Sequence, residues 1–183
     1  MRILIADDES IIRLGIKAML NEMGHEVLAA SNGREALQMA QRHQPDLAIL
    51  DIKMPYTDGL QAARALARAH PLPILLLTAF SEQDLIEEAA DLPIQGYLIK
   101  PIKQEELAAA IAIAMRRFQD TANLQQRADK LEDELVTRKL IDRAKGKLMA
   151  AGLTEDEAYQ TIQQRARTNR QSMRQVAQSI LQQ

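Results

Sequence analysis

Ile3-Leu4-Ile5-Ala6 is an unbroken apolar run that stops at Asp7-Asp8-Glu9, as a short buried strand running into a loop would. After it, Ile12, Ile16, Met19, Leu20 and Met23 recur at helical spacing, with Ser10 placed to cap the helix and Gly24 to end it. Glu26 to Ala30 reads as a second strand. Asn32-Gly33 then turns into a helix through Leu37, Ala40 and Gln41 that Pro45 breaks. Asp46 to Leu50 reads as a third strand, and Asp58-Gly59 opens a helix around Ala62, Leu66 and Ala69. Ile74-Leu75-Leu76-Leu77 is wholly apolar, as a strand covered on both faces should be. A helix over roughly 82–90, a strand at Tyr97-Leu98-Ile99 and a helix from Gln104 complete the alternation. Five strands alternating with five helices over about 118 residues predict a doubly wound α/β domain with a five-stranded parallel sheet.

The pattern then changes. From Leu107 to Leu135 a helical 3-4 spacing continues without proline, with Leu124, Ala128, Leu131 and Leu135 as its more apolar stretch. This predicts a connector helix over 119–135, with a possible seam between two copies. Three short helices are expected after it, at roughly 136–151, 154–168 and 171–182. Gly152 ends the first, Thr154-Glu155-Asp156-Glu157 carries a capping-box pattern, and Ser172 starts the third. Leu140, Ile141, Ala144, Leu148 and Met149 form one apolar face, Ala158, Ile162 and Ala166 a second, and Val176, Ile180 and Leu181 a third. The expected organisation is therefore 1–118, a connector over 119–135, and a small all-α domain over 136–183.

Charge sharpens that division. Residues 1–120 carry a net −5, residues 121–135 a net −2 and residues 136–183 a net +5. An acidic front fits a metal or phosphate site, and a basic tail fits a polyanion. There is no cysteine, so disulfides and thiolate metal sites are excluded. No apolar run approaches the length of a signal peptide core or a membrane span, which leads to an expectation of a cytoplasmic protein.

Ligands in open α/β sheets lie beyond the carboxyl ends of the strands. Asp7, Asp8, Asp51, Thr78 and Lys100-Pro101 all stand at such ends. Three converging carboxylates repel one another unless a cation neutralises them, and an all-oxygen set favours a hard ion such as Mg²⁺. A carboxylate beside such an ion is a competent phosphoryl acceptor, with Lys100 as fixed positive charge and the Thr78 hydroxyl as donor to a phosphoryl oxygen. A phosphatase with an Asp-x-Asp pair is disfavoured, because Lys53 stands where the second carboxylate would be.

Residues 1–118 resemble the receiver domain of two-component response regulators, a flavodoxin-like fold. The resemblance rests on Asp7-Asp8-Glu9, Asp51-Ile52-Lys53-Met54-Pro55 with Asp58-Gly59, Thr78-Ala79 and Gly96-Tyr97-Leu98-Ile99-Lys100-Pro101. It departs from that pattern at Asp91-Leu92-Pro93-Ile94. The resemblance implies Asp51 as phosphoacceptor for a partner sensor histidine kinase. It also implies Mg²⁺ held by Asp8 directly, Asp7 through water, Asp51 and the Lys53 carbonyl. A cis bond before Pro101 and Tyr97 as an aromatic switch coupled to Thr78 follow from it too. On that basis no enzyme activity is expected beyond phosphoryl acceptance and loss at Asp51.

Residues 124–183 resemble the ANTAR domain of AmiR/NasT-type regulators, through Ile141-Asp142-Arg143-Ala144-Lys145-Gly146-Lys147-Leu148-Met149 and Gly152-Leu153-Thr154-Glu155-Asp156-Glu157-Ala158. This implies transcription antitermination by binding RNA hairpins in leader transcripts, carried out by a homodimer at least when phosphorylated. Arg138, Arg143, Lys145, Lys147, Arg167 and Arg170 are the candidate RNA contacts, with Asn169 able to read a base edge. Tyr159 is the single aromatic after Phe118, so stacking falls largely to arginine planes. A DNA-binding helix-turn-helix output and a protein-binding adaptor tail are the alternatives that basic charge and three short helices also allow.

Overall fold

The computed structural model describes residues 1–79 and 92–182. Strands β1 (Arg2–Ala6), β2 (Glu26–Ala30), β3 (Leu47–Asp51), β4 (Ile74–Thr78) and β5 (Gly96–Ile99) form one sheet in the order β2-β1-β3-β4-β5, with every pair parallel. The helices are α1 (Ser10–Glu22), α2 (Gly33–His43), α3 (Gly59–Ala69), α4 (Gln104–Ala150), α5 (Glu155–Asn169) and α6 (Met173–Gln182). The helix expected over 82–90 falls outside the described residues.

The register explains the apolar runs. β3 and β4 are buried along their whole length because helices cover both faces of the sheet. Leu4, Leu50, Ile74 and Leu76 pack with Ala36, Ala40, Ala62 and Leu66 of α2 and α3 on one face. Ile3, Ile5, Ile49, Leu75 and Leu77 pack with Ile16 and Leu20 of α1 and with Leu107, Ile111 and Ala114 at the start of α4 on the other. Each fully buried Leu or Ile contributes roughly 1.5–3 kcal/mol, so these two layers supply most of the driving force for folding.

The chain divides into two compact units, Met1–Thr121 and Ala122–Gln183. In the second, Ala144, Ile162, Ala166, Val176, Ala177 and Ile180 form the core, with Leu140, Ile141, Leu148, Met173 and Leu181 packed against it. Thr154 and Glu157 complete a reciprocal capping box at the start of α5. Ser172 and Gln175 do the same at α6 through Gln175 N–H to Ser172 Oγ and Ser172 N–H to Gln175 Oε1. Each cap is worth about 1 kcal/mol, which matters in a unit this small.

Three sequence expectations are corrected. Ser10 is the first helical residue and not the cap; Glu9 holds the cap position without a side-chain bond, its carboxylate lying 3.8 Å from the Lys100 ammonium instead. The expected break between a connector at 119–135 and a helix at 136 is absent, because α4 runs unbroken from Gln104 to Ala150. Nothing in its sequence stops it: there is no proline, and the single interior glycine, Gly146, costs about 1 kcal/mol relative to alanine, which the flanking turns absorb. Gly152, at φ +104°, terminates the helix. Met149 does not join the core and is 44% exposed.

α3 approaches the end of β3 so closely that a Cβ on Gly59 would lie 2.0 Å from the Asp51 carbonyl oxygen. That atom is backbone and cannot swing aside. Gly59→Ala is expected to destabilise the first unit by about 3 kcal/mol or more, read as a drop in the urea midpoint at unchanged m-value.

Candidate functional site: an acidic pocket at the strand ends

β1 delivers Asp7, buried, and Asp8, exposed; β3 delivers Asp51, buried. One ligand atom from each lies within 4.8 Å of the others. The Lys100 ammonium, carried just past β5, lies 2.8 Å from Asp7 Oδ2 and 2.8 Å from Asp51 Oδ1. The peptide bond from Lys100 to Pro101 is cis. Thr78, at the end of β4, is buried, and its hydroxyl donates to the Ala79 carbonyl at 3.1 Å. Lys53 borders a groove of about 520 Å³ together with Asp8, Met54, Pro55 and Asp58. The structure therefore brings Asp7, Asp8, Asp51 and Lys100 to one point, with Thr78 closing the β4 end and Lys53 the groove.

Tyr97 is 49% exposed on the edge strand β5 and shares a strand face with exposed Ile99. Two groups that sequence reasoning passed over also shape the site. Arg13 Nη1 donates to the Asp7 carbonyl at 2.6 Å, and the Glu9 N–H donates to Asp7 Oδ1 at 2.8 Å, so the loop after β1 is held from both sides. The available signal for Arg13 was a lone cation one turn into a helix whose neighbours Ile11, Ile12 and Leu14 are all apolar.

The electrostatics follow from this packing. Burial pushes the Asp51 carboxyl up to about 6, against the pull of the Lys100 hydrogen bond and charge, while Asp7 and Asp8 push it further up. Burial also disfavours the Lys100 ammonium, but its bonds to Asp51 and Asp7 outweigh that and hold its pKa above the ordinary lysine value. Two or three carboxylates against one ammonium leave excess negative charge in a site without His or Cys. That donor set fits a hard divalent cation.

The tail residues fare differently. Arg138, Arg143, Lys147, Arg167, Asn169 and Arg170 are exposed, Arg170 in the left-handed conformation that caps α5. Lys145 is not among the free cations: its ammonium lies 2.7 Å from Glu155 and 3.4 Å from Asp142, tying α4 to the first turn of α5. Asp142, three residues earlier on α4, is a neighbour that helical periodicity reveals, whereas Glu155 comes from the next helix and is not visible to it.

The parallel sheet and its acidic pocket define a receiver, and a family model for the response regulator receiver domain matches residues 3–112. A model for the ANTAR domain matches residues 129–181. The chain belongs to the response regulators that join a receiver domain to an ANTAR domain. It is 43% identical over 182 residues to the transcriptional regulatory protein PdtaR of Mycobacterium tuberculosis, across 98% of this chain and 89% of that one. A positive alginate biosynthesis regulatory protein of Pseudomonas aeruginosa is 42% identical over 120 residues, 63% of this chain and 48% of its own. Among solved structures, a response regulator receiver domain protein from Clostridium thermocellum superposes with a TM-score of 0.61 at 33% identity, over 64% of this chain and 96% of that one. Among the described residues no helix is long and apolar enough to cross a membrane.

Because the folded Asp51 carboxyl holds its proton more tightly than the ordinary 3.8 of an unfolded chain, its contribution to stability is present below that value and lost as pH rises through about 6. With chelator present, the thermal midpoint is expected to fall between pH 5 and 7.5. Added Mg²⁺ should raise the midpoint more at pH 7.5 than at pH 5, and Asp51→Asn should flatten that difference. An equal Mg²⁺ gain at both pH values would detach the cation from this carboxylate.

Proposed function

We propose that the protein accepts a phosphoryl group on Asp51 from a partner histidine kinase and, in that state, controls transcription by binding RNA hairpins and preventing terminator formation. The observation that carries this reading is the Lys100 bridge between Asp7 and Asp51, set in a three-carboxylate cluster at the strand ends, in a chain whose basic tail matches an ANTAR domain. Receiver domains take phosphoryl groups from sensor kinases, and ANTAR domains bind RNA.

At the acidic pocket, Lys100 engages Asp51 Oδ1 and leaves Oδ2 to attack phosphorus as the bond from phosphorus to the kinase histidine breaks and the imidazole leaves. A bound Mg²⁺, held by Asp7, Asp8, Asp51 and the Lys53 carbonyl, would neutralise the carboxylates and the charge developing on the phosphoryl oxygens. The Thr78 hydroxyl, buried at the end of β4, exchanges the Ala79 carbonyl for a phosphoryl oxygen. Tyr97 on β5 moves inward as it does so. Exposed Ile11 and Leu14 on α1 lie beside the loop that carries Asp8, and offer apolar surface to the incoming kinase helix. Acceptance and loss of the phosphoryl group at Asp51 are the chemistry proposed for the chain.

The output is a binding equilibrium. Phosphorylation favours a dimer, and two linked modules bind a transcript with two hairpins far more tightly than either does alone. Leu124, Leu131 and Leu135 of α4, exposed at 65, 61 and 58%, supply the seam between two copies.

Two tests follow. Asp51→Asn is expected to abolish labelling by a small phosphodonor in Mg²⁺ and with it any donor-enhanced binding of leader hairpins; labelling at full yield would move the acceptor elsewhere. Leu131→Lys with Leu135→Lys should shift the phosphorylated protein to monomer in sedimentation equilibrium, and an unaffected dimer would locate the interface outside this stretch.

A further inference from the structure

Gly146 lies inside α4, one turn before its C-terminal end at Ala150, where the residue is still helical and glycine is less favourable than any residue but proline. A helical glycine is explained where another element packs in the place of a Cβ, as at Gly33 and Gly59, the first residues of α2 and α3, against Thr57 and Asp51. Gly146 has no such neighbour: among the described residues nothing lies within 4 Å of the position its Cβ would take. It is exposed, on the side of α4 opposite Ala144 and Leu148, which face the module's core. Internal packing therefore gives no reason for this glycine.

The side chains around it point to what does. Lys139, Arg143 and Gly146 follow each other at i, i+4 and i+7 and so share one face, with Lys147 beside them. All three cations are exposed, and among the described residues none of them has an ion-pair partner; Lys147 Nζ donates only a long bond, 3.5 Å, to the neutral Leu181 carbonyl. The stretch has one acid, Asp142, and that is engaged by Lys145, which also takes Glu155. The internal ion pairs thus leave this stripe with its positive charge uncompensated. The exposed leucines of α4, Leu124, Leu131 and Leu135, lie N-terminal to this stripe. Two such cationic faces repel each other, so a second copy of the helix is a poor occupant of this part, whereas a polyanion is a good one.

We infer that the Lys139–Arg143–Gly146–Lys147 face of α4 is the surface on which the RNA backbone lies. Gly146 lets the sugar–phosphate chain come closer to the helix than a Cβ would permit, while Arg143 and Lys147 grip the flanking phosphates. This rests on the RNA-binding reading above and assigns the contact to one face of one helix. Arg167, Asn169 and Arg170 at the end of α5 are then left for reading bases, since phosphate contacts position a nucleic acid and base contacts specify it.

The test uses the full-length protein and a hairpin selected from a random-loop RNA pool in the presence of phosphodonor and Mg²⁺. Gly146→Gln, a good helix former without charge, is expected to weaken hairpin binding at least tenfold while helix content, thermal midpoint and sedimentation stay at or above wild type. Gly146→Ala should give a smaller loss in the same direction. Arg143→Ala and Lys147→Ala should each lower the slope of log affinity against log salt by about one phosphate contact, whatever the loop sequence. Wild-type affinity in Gly146→Gln would overturn the assignment and leave the RNA reading intact. A change of oligomeric state in that variant would overturn it in favour of a contact between copies. Enrichment of no hairpin by the wild-type protein would remove the RNA reading and this inference together.

Discussion

The Lys100 ammonium, 2.8 Å from both Asp7 and Asp51, is the contact on which the receiver depends. Two buried carboxylates with a third nearby are tolerable in a folded interior only if a cation stands among them. The sheet order puts β1 beside β3, and β5 on the far side of β4, so Lys100 must reach across from beyond its own strand to meet both acids. The side chain is long enough, and the turn at Pro101 fixes where it starts. The same demand draws in the neighbours: Arg13 and the Glu9 amide hold the Asp7 loop, and Gly59 lets α3 close against the Asp51 carbonyl. With one positive charge against this acidic set, the pocket keeps excess negative charge, which fits a site for a hard divalent cation.

Much of this was legible in the sequence because each signal there is local and physically over-determined. An apolar run such as Ile74 to Leu77 has nowhere to go but a strand covered on both faces, and an acid at the end of such a run falls at the edge where parallel sheets bind ligands. The convergence of Asp7, Asp8, Asp51 and Lys100 then follows from strand order. What escaped reading depends on contacts between elements. Glu9 displaces Ser10 from the cap position because Lys100, ninety residues on, attracts its carboxylate. Lys145 looks like any solvated helix cation until Glu155 arrives from the next helix. Met149 has the right type for a core but, one residue past Leu148, it turns away from the three-helix core that Leu148 still reaches. At α4 the difference is of another kind: no proline marks a stop near 136, and a helix stops only where its sequence stops it.

The glycines separate two uses of the same residue. At Gly33 and Gly59 the space a Cβ would take is already filled by backbone, so the residue is explained by the fold. At Gly15 and Gly146 the space is empty, both residues are exposed, and both interrupt good helix formers. Their surroundings differ in kind: Gly15 lies among Ile11, Leu14 and Met19, and Gly146 among Lys139, Arg143 and Lys147. An apolar setting selects a protein helix as visitor and a cationic setting selects a polyanion. On the function proposed above, the open position at Gly15 suits a protein partner and the one at Gly146 a polyanion.

Charge distribution enforces that division of labour. The acidic first unit attracts cations and the basic tail attracts polyanions, so the two halves favour opposite kinds of partner. Within the tail, the Asp142–Lys145–Glu155 cluster spends the nearest acids on an internal bridge and leaves the outer stripe of α4 without counter-charge. Had Asp142 been free, it would have paired with Arg138 or Lys139 within a turn and weakened the face for phosphate. By holding those acids, Lys145 leaves Arg143 and Lys147 without a charge partner, which is what the proposed phosphate contact requires.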